Sequence, residues 1–224
     1  KMPKNIPIII LEYAEKFFRR QVEALGFERI IELPNRASMR LGDDFNIDMY
    51  AADDCNAKIF SMVYGCPEPK DYTRTQQIDS IAVFHGGGKV VGNCVDCPIG
   101  LAQMPIQAIR QDHPNIDLAL VPYAGAGPYP QAYDFEFEQM REVAVNVKTS
   151  YLSSTTLQFL LRLDPAFYLP FAGGYLIGGK NHWMNEYKGV CEANDLAHDL
   201  APIVEKGGLR GKMMNDLSEG LSAK

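Results

Sequence analysis

An α/β fold is what the sequence predicts, as one domain over residues 1–224 with strands inside and helices outside. Three observations lead there. Short β-rich runs are separated by turn residues, helical spacings of apolar residues recur between them, and no repeat or low-complexity linker divides the chain. Hydrophobic residues at 46%, charged residues at 22% and aromatics at 10% are values for an ordinary globular chain, so structure is expected throughout.

Ile6 to Ile10 is a β-rich run, and Ala14, Phe17, Phe18, Val22 and Leu25 then fall at the spacing of a helix that Gly26 ends. Glu28 to Leu33, Ser38 to Leu41, Asn46 to Ala51 and Lys58 to Val63 read as strands, set apart by Pro34-Asn35, Gly42-Asp43-Asp44 and Asp53-Asp54. Cys66 to Gln77 reads as a surface loop. Ser80 to Phe84, Gly86 to Gly88 and Lys89 to Val91 together read as a hairpin. Ile99 to Arg110 has a helical pattern, weakened by Pro105, and Ile116 to Val121 is the most apolar strand. Phe135 to Val147 and Thr155 to Leu163 are helical, Asp164-Pro165 stops the second, and Phe167 to Ile177 is strand-like. Asn194 to Lys206 carries Leu196, Ala197, Leu200, Ile203 and Val204 on one helical side, and Gly207-Gly208 and Gly211 open a loosely patterned tail.

Charge narrows the partners. Lys+Arg 22 against Asp+Glu 28 gives −6, and no basic cluster interrupts that balance, so nucleic acid and anionic membranes are disfavoured. The apolar run Ile6 to Leu11 holds Pro7 and meets Glu12, far short of the roughly 20 residues that span a bilayer. Five cysteines, an odd number, read as free thiols in a reducing cytoplasm.

Asn93, Cys94, Asp96 and Cys97 lie between an apolar strand and a helix, where α/β folds keep their ligands. Cys94 and Cys97 would serve a thiol oxidoreductase if the helix N-terminus lowered a thiol pKa. A zinc knuckle lacks its second cysteine pair, whereas Asp96 at a strand tip suits a metal as an oxygen ligand. The plainer alternative makes the cysteines small buried hydrophobes and Asp96 a helix cap. Among the histidines, His85 is left without a role, and His113 and His198 read as surface residues; only His182 occupies a glycine-flanked loop that could face a pocket. Ser153-Ser154-Thr155-Thr156 reads as a helix N-cap. Two glycine-rich loops, Tyr123 to Pro130 and Pro170 to Lys180, each come after a strand and would share a rim, with Tyr123, Tyr129 and Tyr133 supplying hydroxyls.

Together Ile78 to Val83 with its hairpin, Asn93 to Pro98, Tyr123 to Pro130 with Tyr133, and Leu169 to Gly174 followed by Gly178-Gly179 and Asn185 resemble the metallo-β-lactamase fold. The resemblance is to the branch that includes the metallo-β-lactamase-like domain of the CMP-N-acetylneuraminate hydroxylases. It implies an αββα sandwich, represented here by its middle and C-terminal portion, because the family's His-x-His-x-Asp-His segment is missing and Ile6 to Phe27 match the strand and helix C-terminal to that segment. Asp96 matches the family's metal-bridging aspartate, and His182 is carried as the second metal candidate. Asn93, Tyr123, Gly125, Gly127, Tyr129 and Tyr133 become the substrate-binding set.

The function this implies is a metal-dependent hydrolase using zinc, iron or manganese if the site is complete. Its substrate would be a small molecule, a sugar or nucleotide sugar. A catalytically degenerate binding or assembly protein and the Cys94–Cys97 oxidoreductase are the alternatives. Uncovered sheet edges would favour a homo-oligomer.

Overall fold

In the computed structural model, residues 2–68 and 73–214 are described. They form two compact units, Lys1–Ile116 and Asp117–Lys224.

The first unit begins with β1 (Pro7–Leu11), α1 (Phe17–Ala24) and β2 (Arg29–Leu33), the two strands pairing in parallel from Pro7↔Arg29 to Leu11↔Leu33. An antiparallel run comes next: β3 (Ala37–Gly42), β4 (Phe45–Ala51), β5 (Ser80–Gly86) and β6 (Lys89–Asn93). Gly87 and Gly88, with φ of +56° and +71°, supply the left-handed pair that closes the two-residue β5–β6 hairpin. Ile47, Met49 and Ala51 alternate along β4 and pack with Leu11 and Leu33, so two sheet faces share one core. Each fully buried side chain of this size contributes about 1.5–3 kcal/mol of transfer free energy. The other face of β4 carries Asp48 and Tyr50 and is also buried.

Between β4 and β5 lies α2 (Ala57–Tyr64), where the sequence suggests a strand over Lys58 to Val63. The apolar run Ile59-Phe60 and Met62-Val63 imitates a buried strand, but both helix ends are specified. The Asn56 side chain accepts from the Lys58 and Ile59 N–H groups, and Gly65 closes the helix with φ of +63°. Of the expected loop Cys66 to Gln77, residues 69–72 lie outside the described residues. α3 (Gln103–Asp112) starts later than Ile99, which leaves Pro105 in the first turn, where an N–H has no intrahelical acceptor to lose.

In the second unit β7 (Leu118–Pro122), β8 (Phe167–Phe171) and β9 (Lys212–Met213) run parallel. α4 (Glu138–Leu163) is one unbroken helix joining the two expected ones. Ser153 to Thr156, expected as an N-cap, sit inside it: the Thr156 hydroxyl back-bonds to the Leu152 carbonyl at 3.1 Å and reaches the Pro122 carbonyl of β7 at 2.7 Å. Beyond Phe171 the expected strand gives way to a loop and a 3₁₀-helix, Gly179–Tyr187. α5 (Ala193–Glu205) opens with a reciprocal cap between Glu192 and Asp195. The tail after Gly211 contributes β9, and residues 215–224 lie outside the described residues. Among the described residues no helix is long and apolar enough to cross a membrane.

Candidate metal centre

In the first unit, the register of β3, β4 and β5 gathers polar groups on the face of β4 opposite the Leu11–Leu33 core. Ser38 lies directly across from Asp48, and His85, paired with Asn46, sits diagonally one step along on the neighbouring strand. His113 caps the C-terminus of α3, its N–H bonded to the Ile109 carbonyl at 2.7 Å. The same helix end is held by the Tyr50 hydroxyl, which donates to the Asp112 carboxylate at 2.9 Å.

These placements bring two imidazoles onto one carboxylate. His85 Nε2 is 3.1 Å from one Asp48 oxygen and His113 Nε2 is 2.7 Å from the other. The rings are 4.9 Å apart at 49°. Burial pushes the Asp48 carboxyl up, but hydrogen bonds from Ser38, His85 and His113 outweigh it and hold the group below the usual carboxylate range. An ionised carboxylate only accepts, so each Nε2 carries the proton it donates.

Asp48, His85 and His113 can each offer one ligand atom, and these atoms lie within 4.8 Å of one another; among the described residues they are the group of three that satisfies this. Two imidazoles and a carboxylate suit a divalent transition ion with a position left open. With ligand bonds of about 2.0–2.1 Å, donors around a tetrahedral ion stand about 3.3 Å apart. The two rings contact different Asp48 oxygens, at 3.1 and 2.7 Å, so an ion that takes one atom from each residue requires one ring to shift toward the other's oxygen. Ligation through Nε2 also moves each ring proton to Nδ1. The donor types therefore fit a cation once the side chains rearrange.

The other candidates take separate places. Asn93 ends β6, and its side chain accepts from the Val95 N–H at 3.1 Å. Asp96 lies in a tight exposed turn with φ of +61°, and its charge, after burial, is what raises the Asp79 carboxyl. Cys94 and Cys97 are buried free thiols. Burial pushes Cys94 up to about 12 and raises Cys97 as well, the opposite of the activation a redox pair needs.

In the second unit His182 is exposed on the 3₁₀-helix, its Nδ1 3.2 Å from the Gly179 carbonyl. There the two glycine-rich loops do meet. An ideal Cβ on Gly173 would stand 2.1 Å from the Tyr123 ring, so that ring packs where only glycine leaves room. Gln131 is buried and donates to the Gly127 carbonyl at 2.8 Å and the Tyr175 hydroxyl at 3.1 Å. Gly125 lies near Leu152, while Tyr129 and Tyr133 are exposed with rings 5.3 Å apart. His113, read from the sequence as a surface residue, is instead held against the Asp48 carboxylate, and His85 joins it; neither has a sequence motif, because both depend on strand register and helix packing.

The units combine antiparallel and parallel strands with flanking helices, an α/β fold of the metallo-β-lactamase type carrying a group able to hold a metal. No family model matches the chain, and no curated protein sequence does. Among solved structures, a variant of the beta-hydroxylase CmlA matches with a TM-score of 0.53 at 11% identity, over 93% of this chain and 38% of that one. CmlA itself, a diiron beta-hydroxylase from Streptomyces venezuelae, matches at 0.46 and 10% identity over the same shares. An isothiocyanate hydrolase from Delia radicum gut bacteria matches at 0.45 and 11% over 95% of this chain and 65% of its own. The likeness to the CmlA variant is one of fold. This chain spans 38% of CmlA's length.

Proposed function

We propose that this chain is part of a metal-dependent enzyme of the metallo-β-lactamase fold, with Asp48, His85 and His113 as ligands of one divalent ion. The observation that carries the reading is the convergence of two imidazole Nε2 atoms on one ionised, buried carboxylate. When bound, the ion supplies Lewis acidity to a substrate oxygen. The chain's own part is orientation: Asp48 fixes both rings, Ser38 holds Asp48 charged, and the Tyr50–Asp112 bond keeps the helix end that delivers His113 in place.

Hydrolysis of a sugar or nucleotide-sugar substrate remains the finer proposal. Its support is the resemblance to the hydroxylase branch and the meeting of the Tyr123–Pro130 and Pro170–Lys180 loops, whose aromatic faces suit a sugar ring. Asp96, at its strand end, stays the candidate for a ligand on the family's pattern.

Metal analysis after zinc, iron or manganese loading of the chelator-treated chain tests the reading. About one equivalent in the wild type, lost in His85→Ala and His113→Ala, supports the group at Asp48; loss confined to Asp96→Ala moves the site to the strand end. No retained metal in any of them refutes the metal reading. It would favour the second one, a catalytically silent binding protein whose His–Asp–His group is a structural clamp. The observation behind that reading is the 2.7 Å His113–Asp48 bond, which is complete without an ion.

A further inference from the structure

A charged side chain in the second unit lacks the partner that its burial calls for. Arg141, in the first half of α4, keeps only 16% of its side-chain surface exposed, and its Nε is buried with no hydrogen-bond partner. Among the described residues its guanidinium makes no hydrogen bond, and the carboxylate nearest to it, that of Glu138, stands 3.8 Å away and is itself 52% exposed. Aromatic rings hold the group instead: its central carbon lies 4.7 Å from the ring centre of Tyr187 and 5.8 Å from that of Phe135. Rings engage a guanidinium by its face and leave the N–H donors along its edge unused. A cation so far removed from water costs stability until an anion meets it.

A second cation lies on the same side of the helix. Lys148 is partly buried and donates to the Tyr129 carbonyl at 2.8 Å, with no carboxylate partner among the described residues. Burial lowers its pKa from the usual lysine value. Seven residues, two turns of helix, set it about 10 Å from Arg141 along α4. Tyr129 and Phe135 from the preceding loop and Met140, Val143, Ala144 and Val147 from α4 line a groove of about 400 Å³, the size of a small-molecule pocket. Both cations touch its lining, Arg141 through the Phe135 ring and Lys148 through the Tyr129 carbonyl. The neighbouring carboxylates do not neutralise them. Glu138 and Glu142 fall on the opposite side of the helix from Met140, Val143 and Val147, and among the described residues neither Asp134 nor Glu136 pairs with either cation.

We propose that Arg141 anchors the acid group of a small organic ligand, a carboxylate carried on an apolar or aromatic body. The carboxylate would take the unused edge of the guanidinium through two parallel hydrogen bonds, and the body would lie along the groove against Met140, Val143 and Val147. Lys148 adds positive potential toward the other end of the groove. The inference goes beyond the metal reading and uses none of its residues.

The test titrates the full chain with 2-naphthylacetate and, in parallel, with the uncharged 2-naphthylacetamide, which has nearly the same shape. Isothermal titration calorimetry should show saturable binding of the acid to one site and binding of the amide about tenfold weaker. In Arg141→Gln the acid should fall to the level of the amide, while Arg141→Lys, which keeps the charge and loses the fork, should retain part of the preference. Val147→Asp should weaken both probes, and Lys58→Gln, at an exposed site on α2, should change neither. Circular dichroism shows whether each variant is folded, and the comparison of the two probes on the wild type stands whatever the variants do. Equal binding of acid and amide to the wild type, no saturable binding of the acid, or an undiminished preference in folded Arg141→Gln overturns the proposal.

Discussion

Replacing Asp48 with Asn removes the charge on which two imidazoles and a serine converge while leaving the side chain's size unchanged. Asp48 is 7% exposed, so water does not take over the lost contacts. The amide oxygen can still accept from one donor, and its NH₂ group pairs with the other ring only if that imidazole moves its proton to Nδ1, so the charge-assisted contacts are replaced by weaker neutral ones. A hydrogen bond to a charged group contributes about 1.5–3 kcal/mol, which sets the expected destabilisation of the metal-free chain at about 2–3 kcal/mol. The pH dependence comes from the lowered Asp48 pKa. Its stabilisation is complete above the unfolded value of 3.8 and is lost as pH falls through the lower folded value. Urea denaturation of the chelator-treated wild type and Asp48→Asn at pH 7, 5 and 3 should show a full gap at the first two and a narrower one at the third. A gap of the same size at pH 3, or none at pH 7, would refute the account of an ionised carboxylate holding both rings.

Gly173→Ala should cost about 1–3 kcal/mol, because its Cβ meets the buried Tyr123 ring at 2.1 Å; Gly174→Ala, with the Tyr123 hydroxyl 4.0 Å away, should cost little, and equal melting temperatures would remove the packing explanation. With its thiol near 12, Cys94 should be alkylated in urea but scarcely in the native chain at pH 8, where about one molecule in ten thousand carries the thiolate; rapid native labelling would contradict that. Asp79→Asn should stabilise the chain at neutral pH by about 0.5–1 kcal/mol, since burial and the Asp96 charge both oppose ionisation of Asp79. Because that pKa is raised, the wild type loses stability as pH rises above 3.8, and the variant's advantage in urea midpoint should vanish below it.

Local patterns carried much of the architecture. The β5–β6 hairpin and its glycine turn, β2, β4 and α5 are set by turn chemistry and apolar spacing at nearly their observed bounds. α2 was obscured by composition, since Ile59, Phe60 and Val63 favour strands in isolation while Asn56 and Gly65 specify helix ends. The sequence splits α4 in two because hydroxyl residues weaken helices, a penalty offset by the Thr156 bond to a strand distant in sequence. The His–Asp–His group is illegible in the sequence for a related reason. His85 and His113 lie 37 and 65 residues from Asp48, and only the β4–β5 register with the position of the α3 terminus brings them together.

The unbroken α4 is about 39 Å long, yet four of its five buried positions, Thr156, Phe159, Leu160 and Leu163, fall in its last eight residues. It is packed most tightly at one end, while its outer turns are held by side contacts such as the Lys148 bond to the Tyr129 carbonyl and the Arg141 stack on Tyr187. Amide hydrogens near Glu142 can exchange through local fraying, whereas those near Leu160 require the unit's core to open. One continuous rod thus spans a gradient from easier local opening to global unfolding. A load placed on its outer turns is carried by the hydrogen-bonded backbone to the clamp beneath Pro122.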